Sequence, residues 1–270
     1  MQSKLFPLLL LFLFPFAACD NEPEAAEDDM ETTMNGDDAA TVPADKPYRF
    51  MPFGPNEPYP DAAITNVSYQ NGKFDFNIAN YQLGIQTPDA GSLMCANSDK
   101  GQHIHLIIDN EPYIAKYETE FGQEIADGEH HILSFLSRSY HESIKTAAAH
   151  RAMKVNVSGN SFTDPEPINQ PMLFYSRPKG TYVGDDTKKI MLDFYPVRAE
   201  LGNDFKVKVN INGEQEEIVD KWQPYAIEGL PMGDNVIELT LIDGAGNTVN
   251  APLNPVRRTF TLKAMPNPEQ

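Results

Sequence analysis

The chain has 270 residues, a formal net charge of −18 at pH 7 and two cysteines. Ten acidic residues lie within residues 20–45, and residues 46–270 hold 29 acidic against 20 basic residues. This acidic balance excludes general nucleic-acid binding, because a protein that binds nucleic acid needs a basic surface.

The N-terminal segment has the pattern of an export signal. Lys4 is followed by an apolar run over residues 5–16 and by two alanines directly before Cys19. The run is too short to cross a bilayer, which needs roughly 20 apolar residues. The segment resembles a bacterial lipoprotein signal peptide covering residues 1–18. The resemblance implies that Cys19 becomes the acylated N-terminus and that its acyl chains anchor the protein in the membrane. A plain secretory signal is the alternative.

Residues 19–46 are expected to form a disordered acidic tether. Residues 20–45 contain no Lys or Arg. A segment of low hydrophobicity and high net charge cannot offset the entropy that it loses on ordering. In Bacteroidota, acidic residues soon after a lipidated cysteine resemble a signal for export to the cell surface. We therefore expect an outer-membrane lipoprotein, on either the periplasmic or the cell-surface face.

From residue 47 onward the pattern indicates strands and turns. The stretch ITNVSYQNGKFDFNI alternates apolar and polar residues on both sides of Asn71-Gly72. Asn-Gly suits a two-residue type I′ turn, so this stretch predicts a β-hairpin. The strand candidates HIHLIID and HHILSFLS follow it. Residues 47–160 are interpreted as a first immunoglobulin-like β-sandwich.

The second half of the chain repeats this plan. GEHHILSFLSR aligns with GDNVIELTLID, glycine on glycine, and HLIIDNE aligns with KVNINGE. The proline-containing residues 161–171 are expected to be a linker, and residues 172–270 a second sandwich. Many short strands in units of about 100 residues favour two tandem immunoglobulin-like sandwiches. One continuous β domain is the alternative.

All six histidines lie within residues 103–150. Residues i and i+2 of a strand point the same way, roughly 6.5–7 Å apart, so a His-x-His strand can direct two imidazoles at one ion. Neutral imidazole suits copper and zinc. A neighbouring strand and the turn after it would supply further histidines, and one cysteine could replace a histidine. The predicted metal ligands are His103, His105, His130, His131, His141 and Cys95.

The internal repeat provides a comparison for these histidines. In the second half, Lys206 and Lys208 align with the His-x-His pair, and Gly246 aligns with His141. The fold therefore does not require imidazole at these positions. Ordinary surface or core histidines are the alternative, with Cys95 then a buried, inert thiol.

Two parts of the chain resemble bacterial families without established function. GQHIHLIID followed by DGEHHILSFLSRSYH is similar to a histidine-rich extracytoplasmic domain, and the resemblance implies a metal site made of His103, His105, His130 and His141. LFYSRPKGTY and KWQPYAIEGLPMGDN resemble segments of lipid-anchored Bacteroidota proteins, some of which are labelled phosphopeptide-binding. In the second half, Arg177 and Lys179 belong to a small basic cluster that could hold a phosphate. Ordinary loop charges explain this cluster equally well.

The sequence contains no Gly-x-Ser-x-Gly elbow, no His-Glu-x-x-His motif and no phosphate-cradling glycine loop. We therefore expect a protein that is not an enzyme. The leading hypothesis is a lipid-anchored envelope protein whose first sandwich binds copper or zinc. The alternative is an adhesion or binding module that recognises an envelope protein, a phosphopeptide or a glycan.

Overall fold

The computed structural model describes residues 46–54 and 58–266, and β-strands dominate both ranges. All described residues belong to one unit, Ala40–Gln270. The expected signal peptide, the lipidation site Cys19 and nearly all of the expected tether lie outside the described residues. None of the helices in the described ranges is long and apolar enough to cross a membrane.

Seventeen strands and three short 3-10 helices make up the described chain. The strands of the first half are β1 Arg49–Pro52, β2 Ala63–Gln70, β3 Lys73–Ala79, β4 His103–Ile108, β5 Ile114–Lys116, β6 Glu120–Gly122, β7 Gly128–Ser137, β8 His150–Ser158 and β9 Ser161–Pro167. Those of the second half are β10 Met172–Arg177, β11 Gly180–Val183, β12 Ile190–Val197, β13 Phe205–Ile211, β14 Gln215–Val219, β15 Tyr225–Glu228, β16 Gly233–Asp243 and β17 Val256–Lys263. The 3-10 helices are Ala90–Ser92, Ala147–Ala149 and Gly184–Thr187.

The strands form four sheets, which pair into two sandwiches. In the first sandwich, the sheet β2-β3-β6 packs on the sheet β5-β4-β7-β8-β9, hereafter the β4 sheet. In the second, the sheet β1-β15-β12-β10, hereafter the β10 sheet, packs on the sheet β11-β17-β16-β13-β14, hereafter the β13 sheet. The predicted fold class, all-β with immunoglobulin-like sandwiches, is confirmed.

The two sandwiches share one strand plan, as the internal repeat indicates. β4 pairs antiparallel with β7 so that His103 lies opposite Ser137, and β13 pairs with β16 so that Lys206 lies opposite Ile242. An isolated bridge closes the following turn in each half, Ser137 to Ser143 and Ile242 to Thr248. The aligned residues of the repeat therefore occupy equivalent places in the two folds.

The boundaries between the halves differ from the expected ones. Ser161–Pro167, expected to begin a linker, forms the strand β9 at the edge of the β4 sheet. Its prolines are tolerated there because an edge strand can leave N–H positions out of the ladder. At the other end, Arg49–Pro52 pairs with β15 and so belongs to the second sandwich rather than to the first.

The β4 sheet and the β10 sheet pack against each other through their outer faces. Ile107, Leu133 and Phe135 from the first sandwich form one core with Phe174 and Tyr195 from the second. Both faces of β4 are consequently buried, and only its last residue is partly accessible. This contact explains why HHILSFLS is apolar on both sides, because a strand covered on both faces does not alternate with polar residues.

A polar contact fastens the two sandwiches beside this apolar core. The Asn110 side chain donates to the carbonyl of Leu173 at 2.8 Å and accepts from the N–H of Tyr175 at 2.8 Å. Arg258 donates to the backbone carbonyl of Asn110 at 2.6 Å. The Leu173 carbonyl and the Tyr175 N–H belong to β10, a buried edge strand. The Asn110 side-chain amide therefore pairs two backbone groups of this strand that have no neighbouring strand to bond.

We expect Asn110→Gly to destabilise the protein by about 1–3 kcal/mol, because it leaves two buried backbone groups of β10 without partners. Glycine keeps the left-handed backbone of this position, φ 62°, so the side chain alone is tested. The matched control is Asn160→Gly, at an exposed turn residue with φ 57°. Urea unfolding of both variants measures the difference, and equal losses at the two positions would contradict the contact.

Candidate metal centre

His103 and His105 lie on β4 and point to the same side of the β4 sheet. This is the outer face that the second sandwich covers, and both residues are 0% exposed. Their ring centroids are 4.7 Å apart. The i, i+2 spacing of the strand therefore sets two imidazoles side by side, as the sequence predicts.

His141 lies in the turn after β7. The turn is closed by hydrogen bonds from the N–H of Arg138 to the carbonyl of Glu142 and from the N–H of His141 to the carbonyl of Arg138, both 2.9 Å. His141 has φ 70°, in the left-handed region, and its counterpart Gly246 has φ 88°. A non-glycine residue in this region is strained by about 1 kcal/mol or more. The first half thus carries an imidazole where its own repeat uses the less strained glycine.

The three imidazoles converge on one point. His103 Nε2 lies 2.8 Å from His105 Nε2 and 3.0 Å from His141 Nδ1. The ligand atoms of all three residues lie within 4.8 Å of one another. We call His103, His105 and His141 the three-histidine cluster.

The hydrogen bonds of His103 fix which of its nitrogens carries the proton. Its Nδ1 lies 2.8 Å from the carbonyl oxygen of Gly101, which can only accept, so Nδ1 donates. In the neutral ring Nε2 is then unprotonated and has a single lone pair. Two ring nitrogens, from His105 and His141, approach that one lone pair. A linear hydrogen bond can satisfy only one of them, whereas a bound cation would accept a lone pair from all three.

Neighbouring side chains hold the cluster in place. Ser176 Oγ, from β10, lies 3.3 Å from His105 Nδ1. The Tyr113 ring stacks on His105 with centroids 3.6 Å apart and planes at 10°, and its hydroxyl lies 3.2 Å from His141 Nδ1. The Ser176 contact is to the nitrogen of His105 that faces away from the cluster, and such contacts are typical of metal sites because they fix the ring and its tautomer. The Tyr113 hydroxyl instead contacts His141 Nδ1, the nitrogen directed at the cluster.

Burial keeps the cluster neutral. It lowers the pKa of His103 to about 4, and the positive charges of Arg177 and Lys179 contribute in the same direction. Burial also holds the pKa of His105 and of His141 well below the usual range, with contributions from neighbouring histidines and the same two cations. At pH 7 the three rings are therefore unprotonated bases, the form in which imidazole binds a metal.

A bound metal ion would change the spacing of the three ring nitrogens. A metal held about 2.0–2.1 Å from each nitrogen keeps neighbouring nitrogens roughly 3.3–3.6 Å apart. The distances of 2.8 and 3.0 Å are shorter by roughly half an ångström. Binding would open these two pairs by that amount, within a cluster whose ligand atoms lie up to 4.8 Å apart.

The structure does not bring His130 and His131 to the cluster, which corrects the expected third ligand. β4 and β7 are antiparallel, so His103 lies opposite Ser137, whereas His130 and His131 lie at the other end of β7. Six residues of strand separate His131 from Ser137, roughly 20 Å. His130 instead pairs with Asp109 Oδ2 at 2.6 Å, and its other nitrogen lies 2.9 Å from the carbonyl of Ala126.

Cys95 lies outside the cluster as well. It packs at the edge of a small apolar core that contains Phe53, Tyr140 and Met191. Burial raises the pKa of the Cys95 thiol to about 11, so at neutral pH it is the protonated, weakly reactive form.

Arg177 and Lys179 border the cluster rather than a separate phosphate loop. Arg177 is buried and donates to the Tyr182 hydroxyl at 2.8 and 3.2 Å. Lys179 donates to the carbonyl of Tyr113 at 2.8 Å. The sequence carries no signal for the roles of Tyr113 and Ser176, because both depend on the packing of one sandwich against the other.

No protein-family model matches the chain, and no curated protein matches it. Among solved structures, the fibronectin(III)-like modules of Clostridium thermocellum CbhA align at 13% identity over 35% of this chain and 100% of theirs, with a TM-score of 0.28. A Ca2+-stabilised adhesin with which an Antarctic bacterium binds ice aligns at 13% identity over 75% of this chain and 49% of its own, with a TM-score of 0.24. The chain thus spans about half the length of that adhesin.

A third similar structure is the Bacteroides ovatus protein SGBP-B of a mixed-linkage glucan utilization locus, in complex with a mixed-linkage heptasaccharide. It aligns at 10% identity over 80% of this chain and 70% of its own, with a TM-score of 0.18. The similarity to these proteins is confined to strand architecture and carries no argument about function.

The His130–Asp109 pair predicts a pH effect on stability. Burial alone would lower the pKa of His130, but the hydrogen bonds to Asp109 and to Ala126 and the charge of Asp109 raise it above the ordinary 6.5. The pair's contribution to the free energy of unfolding is therefore complete below about pH 6.5, the ordinary pKa of histidine. It is lost as pH rises through the raised pKa of His130. We expect the free energy of unfolding of wild type relative to His130→Gln to fall between pH 6 and pH 9. Urea unfolding at these pH values measures it, and a constant or rising difference would contradict the pairing.

Proposed function

We propose that the protein binds one transition-metal ion, copper or zinc, through His103, His105 and His141, between its two sandwiches. The observation that supports this most strongly is the single lone pair of His103 Nε2 with two other ring nitrogens 2.8 and 3.0 Å away. One hydrogen bond uses this lone pair fully. Three ring nitrogens directed at one point can instead all bind a single cation.

The repeat supports the same proposal. The second sandwich builds the same strand pair and the same turn with Lys206, Lys208 and Gly246 at the equivalent positions. Buried polar rings need polar partners, which apolar packing does not require. The first sandwich therefore carries a set of buried imidazoles that its architecture does not need, and a bound metal ion would give them a common partner.

The burial of the site favours retention of the ion over catalysis. His103 and His105 are fully buried, and only His141 is partly accessible. A substrate would have little access to such an ion, whereas exchange with a carrier needs only the ion to pass. Buffering or delivery of the metal is the role that we propose.

We also propose that the protein is a lipoprotein of the outer membrane, anchored through Cys19. The support is the sequence before this residue: an apolar run followed by two alanines. An acidic stretch then separates Cys19 from the first strand. The metal centre would thus lie in the periplasm or at the cell surface, where it could bind copper or zinc outside the cytoplasm.

Removal of one imidazole is expected to weaken metal binding by at least 100-fold, because only three ligands come from the cluster. The variant is His105→Ala, and the matched control is His130→Ala, at a histidine of the same sandwich outside the cluster. Ser176→Ala is expected to cost about tenfold, through loss of the partner of His105. Calorimetric titration of the purified protein with copper and zinc measures all three.

The same binding should appear as thermal stabilisation. Free metal at 100 times the dissociation constant is expected to add about 2.7 kcal/mol to the free energy of unfolding.

Two results would refute the proposal. One is a dissociation constant for wild type above about 10 µM. The other is an unchanged affinity in His105→Ala when circular dichroism shows an intact fold. A binding module for an envelope protein, a phosphopeptide or a glycan would then be the remaining hypothesis.

Lipidation has its own test. In the native host, the protein is expected to incorporate a labelled fatty acid and to partition with the detergent phase. Cys19→Ser should remove both properties, because the thiol is the atom that carries the diacylglyceryl group. Cys95→Ser is the control and should change neither. Label retained in Cys19→Ser would disprove the anchor and leave the metal proposal untouched.

A further inference from the structure

The charges around the three-histidine cluster are unusual for a metal site. Its donors are three neutral imidazoles, and within the described ranges no Asp, Glu or Cys belongs to the cluster. Two cations, Arg177 and Lys179, act on all three rings. A bound ion would thus meet positive charge without a negative ligand to offset it.

Arg177 reaches the cluster from β10. It follows Ser176, whose hydroxyl lies 3.3 Å from His105 Nδ1. Its guanidinium donates to the carbonyl of Tyr140 at 3.4 Å, and Tyr140 directly precedes His141. The guanidinium is buried and its hydrogen bonds go to neutral oxygens, so its charge is weakly screened there.

Lys179 approaches from the side of Tyr113. Its Nζ lies 4.0 Å from the centroid of the Tyr113 ring, and His105 stacks on that ring at 3.6 Å. The ammonium and the imidazole must occupy opposite faces, because on one face they would collide. The column of Lys179, Tyr113 and His105 therefore places a second positive charge one aromatic ring away from the proposed ligand.

We propose that the ion bound by the three-histidine cluster is monovalent copper, Cu(I), in preference to divalent zinc or copper. This inference rests on the proposed function and specifies its metal. The repulsion from Arg177 and Lys179 is proportional to the charge of the ion, so it is twice as large for a divalent ion at the same position. Three donors at one point also fall short of the four ligands that zinc takes in almost all structural sites.

An additional oxygen beside the cluster is the hydroxyl of Tyr113, 3.2 Å from His141 Nδ1, and its ring stacks on His105. Cu(I) needs no such ligand, because its single charge is less repelled and three imidazoles suffice.

The first experiment compares the two ions on the full-length protein. Cu(I) is titrated anaerobically against a chromophoric Cu(I) chelator, and Zn(II) against a chromophoric zinc chelator, both at pH 7. We expect the protein to bind Cu(I) at least 100-fold more tightly than Zn(II). A zinc affinity equal to or greater than that for Cu(I) would overturn this inference while leaving the proposed metal site standing. Binding of neither ion would refute the proposed function itself.

The second experiment tests the electrostatic cause. Lys179→Met removes one charge from the border of the cluster at a half-buried position, and Lys179→Arg keeps it. If Lys179→Met raises Cu(I) affinity about threefold, Zn(II) affinity should rise about ninefold, because the removed repulsion is doubled for the divalent ion. Lys179→Arg and the remote exposed variant Lys73→Met should leave both affinities unchanged. Equal changes for the two ions would show that charge does not set the preference and would overturn the inference.

Tyr113→Phe decides whether the phenol contributes. We expect this variant to leave Cu(I) affinity within about threefold of wild type, since three imidazoles suffice. The opposite outcome has two parts: wild type binds Zn(II) as tightly as it binds Cu(I), and Tyr113→Phe loses 100-fold in Zn(II) affinity. Together these results would mean that an ionised Tyr113 supplies a fourth ligand. That result would contradict a site built for a monovalent ion.

Discussion

Contact between the outer faces of the β4 sheet and the β10 sheet is the constraint from which the properties of the site follow. The apolar side chains of that contact remove water from a strand face that carries two histidines. Without the second sandwich this face would be open, and His103 and His105 would be ordinary solvated imidazoles. With it, their rings are desolvated, restrained by Ser176 and Tyr113, and brought up against two cations. The candidate metal centre is thus a property of the pair of sandwiches, although its three imidazoles all belong to the first.

Desolvation has opposite consequences for protons and for metal ions at this site. A proton that binds one imidazole gains a single nitrogen partner and must remain charged in a region of low polarity, which is why the pKa of His103 falls to about 4. A metal ion gains three nitrogens at once. The neutrality of the rings at pH 7 is therefore compatible with the proposed function, in which a bound cation would use several lone pairs at once. The positive charges of Arg177 and Lys179 then weigh against highly charged ions.

Local sequence patterns were sufficient for the parts of this protein that depend on a single strand or turn. The alternation around Asn71-Gly72 predicts the β2–β3 hairpin, and the His-x-His spacing predicts two rings on one face. The third ligand was only partly predictable. His141 follows from its place in a turn, but choosing it over His130 requires the antiparallel register of β4 and β7, which reverses the two ends of the strand. The contacts of Tyr113 and Ser176 with the cluster could not be predicted from the sequence, because no local pattern indicates how the two sandwiches pack.

The comparison between the two halves of the chain separates burial from function at these positions. On β13, Lys206 and Lys208 occupy the places of His103 and His105, and they lie partly accessible on the outer face of the β13 sheet. In the first half, the second sandwich covers the equivalent face. This covering explains why lysine is absent there, because a buried ammonium without a partner is strongly unfavourable. The covering does not explain why histidine is present. Two positions further along the same face of β4, the covered residue is Ile107, where β13 has Asn210. At this position the packing of the two sandwiches is met by an aliphatic residue. The proposed metal site accounts for imidazoles at two successive positions of this outer face, joined by a third in a strained turn.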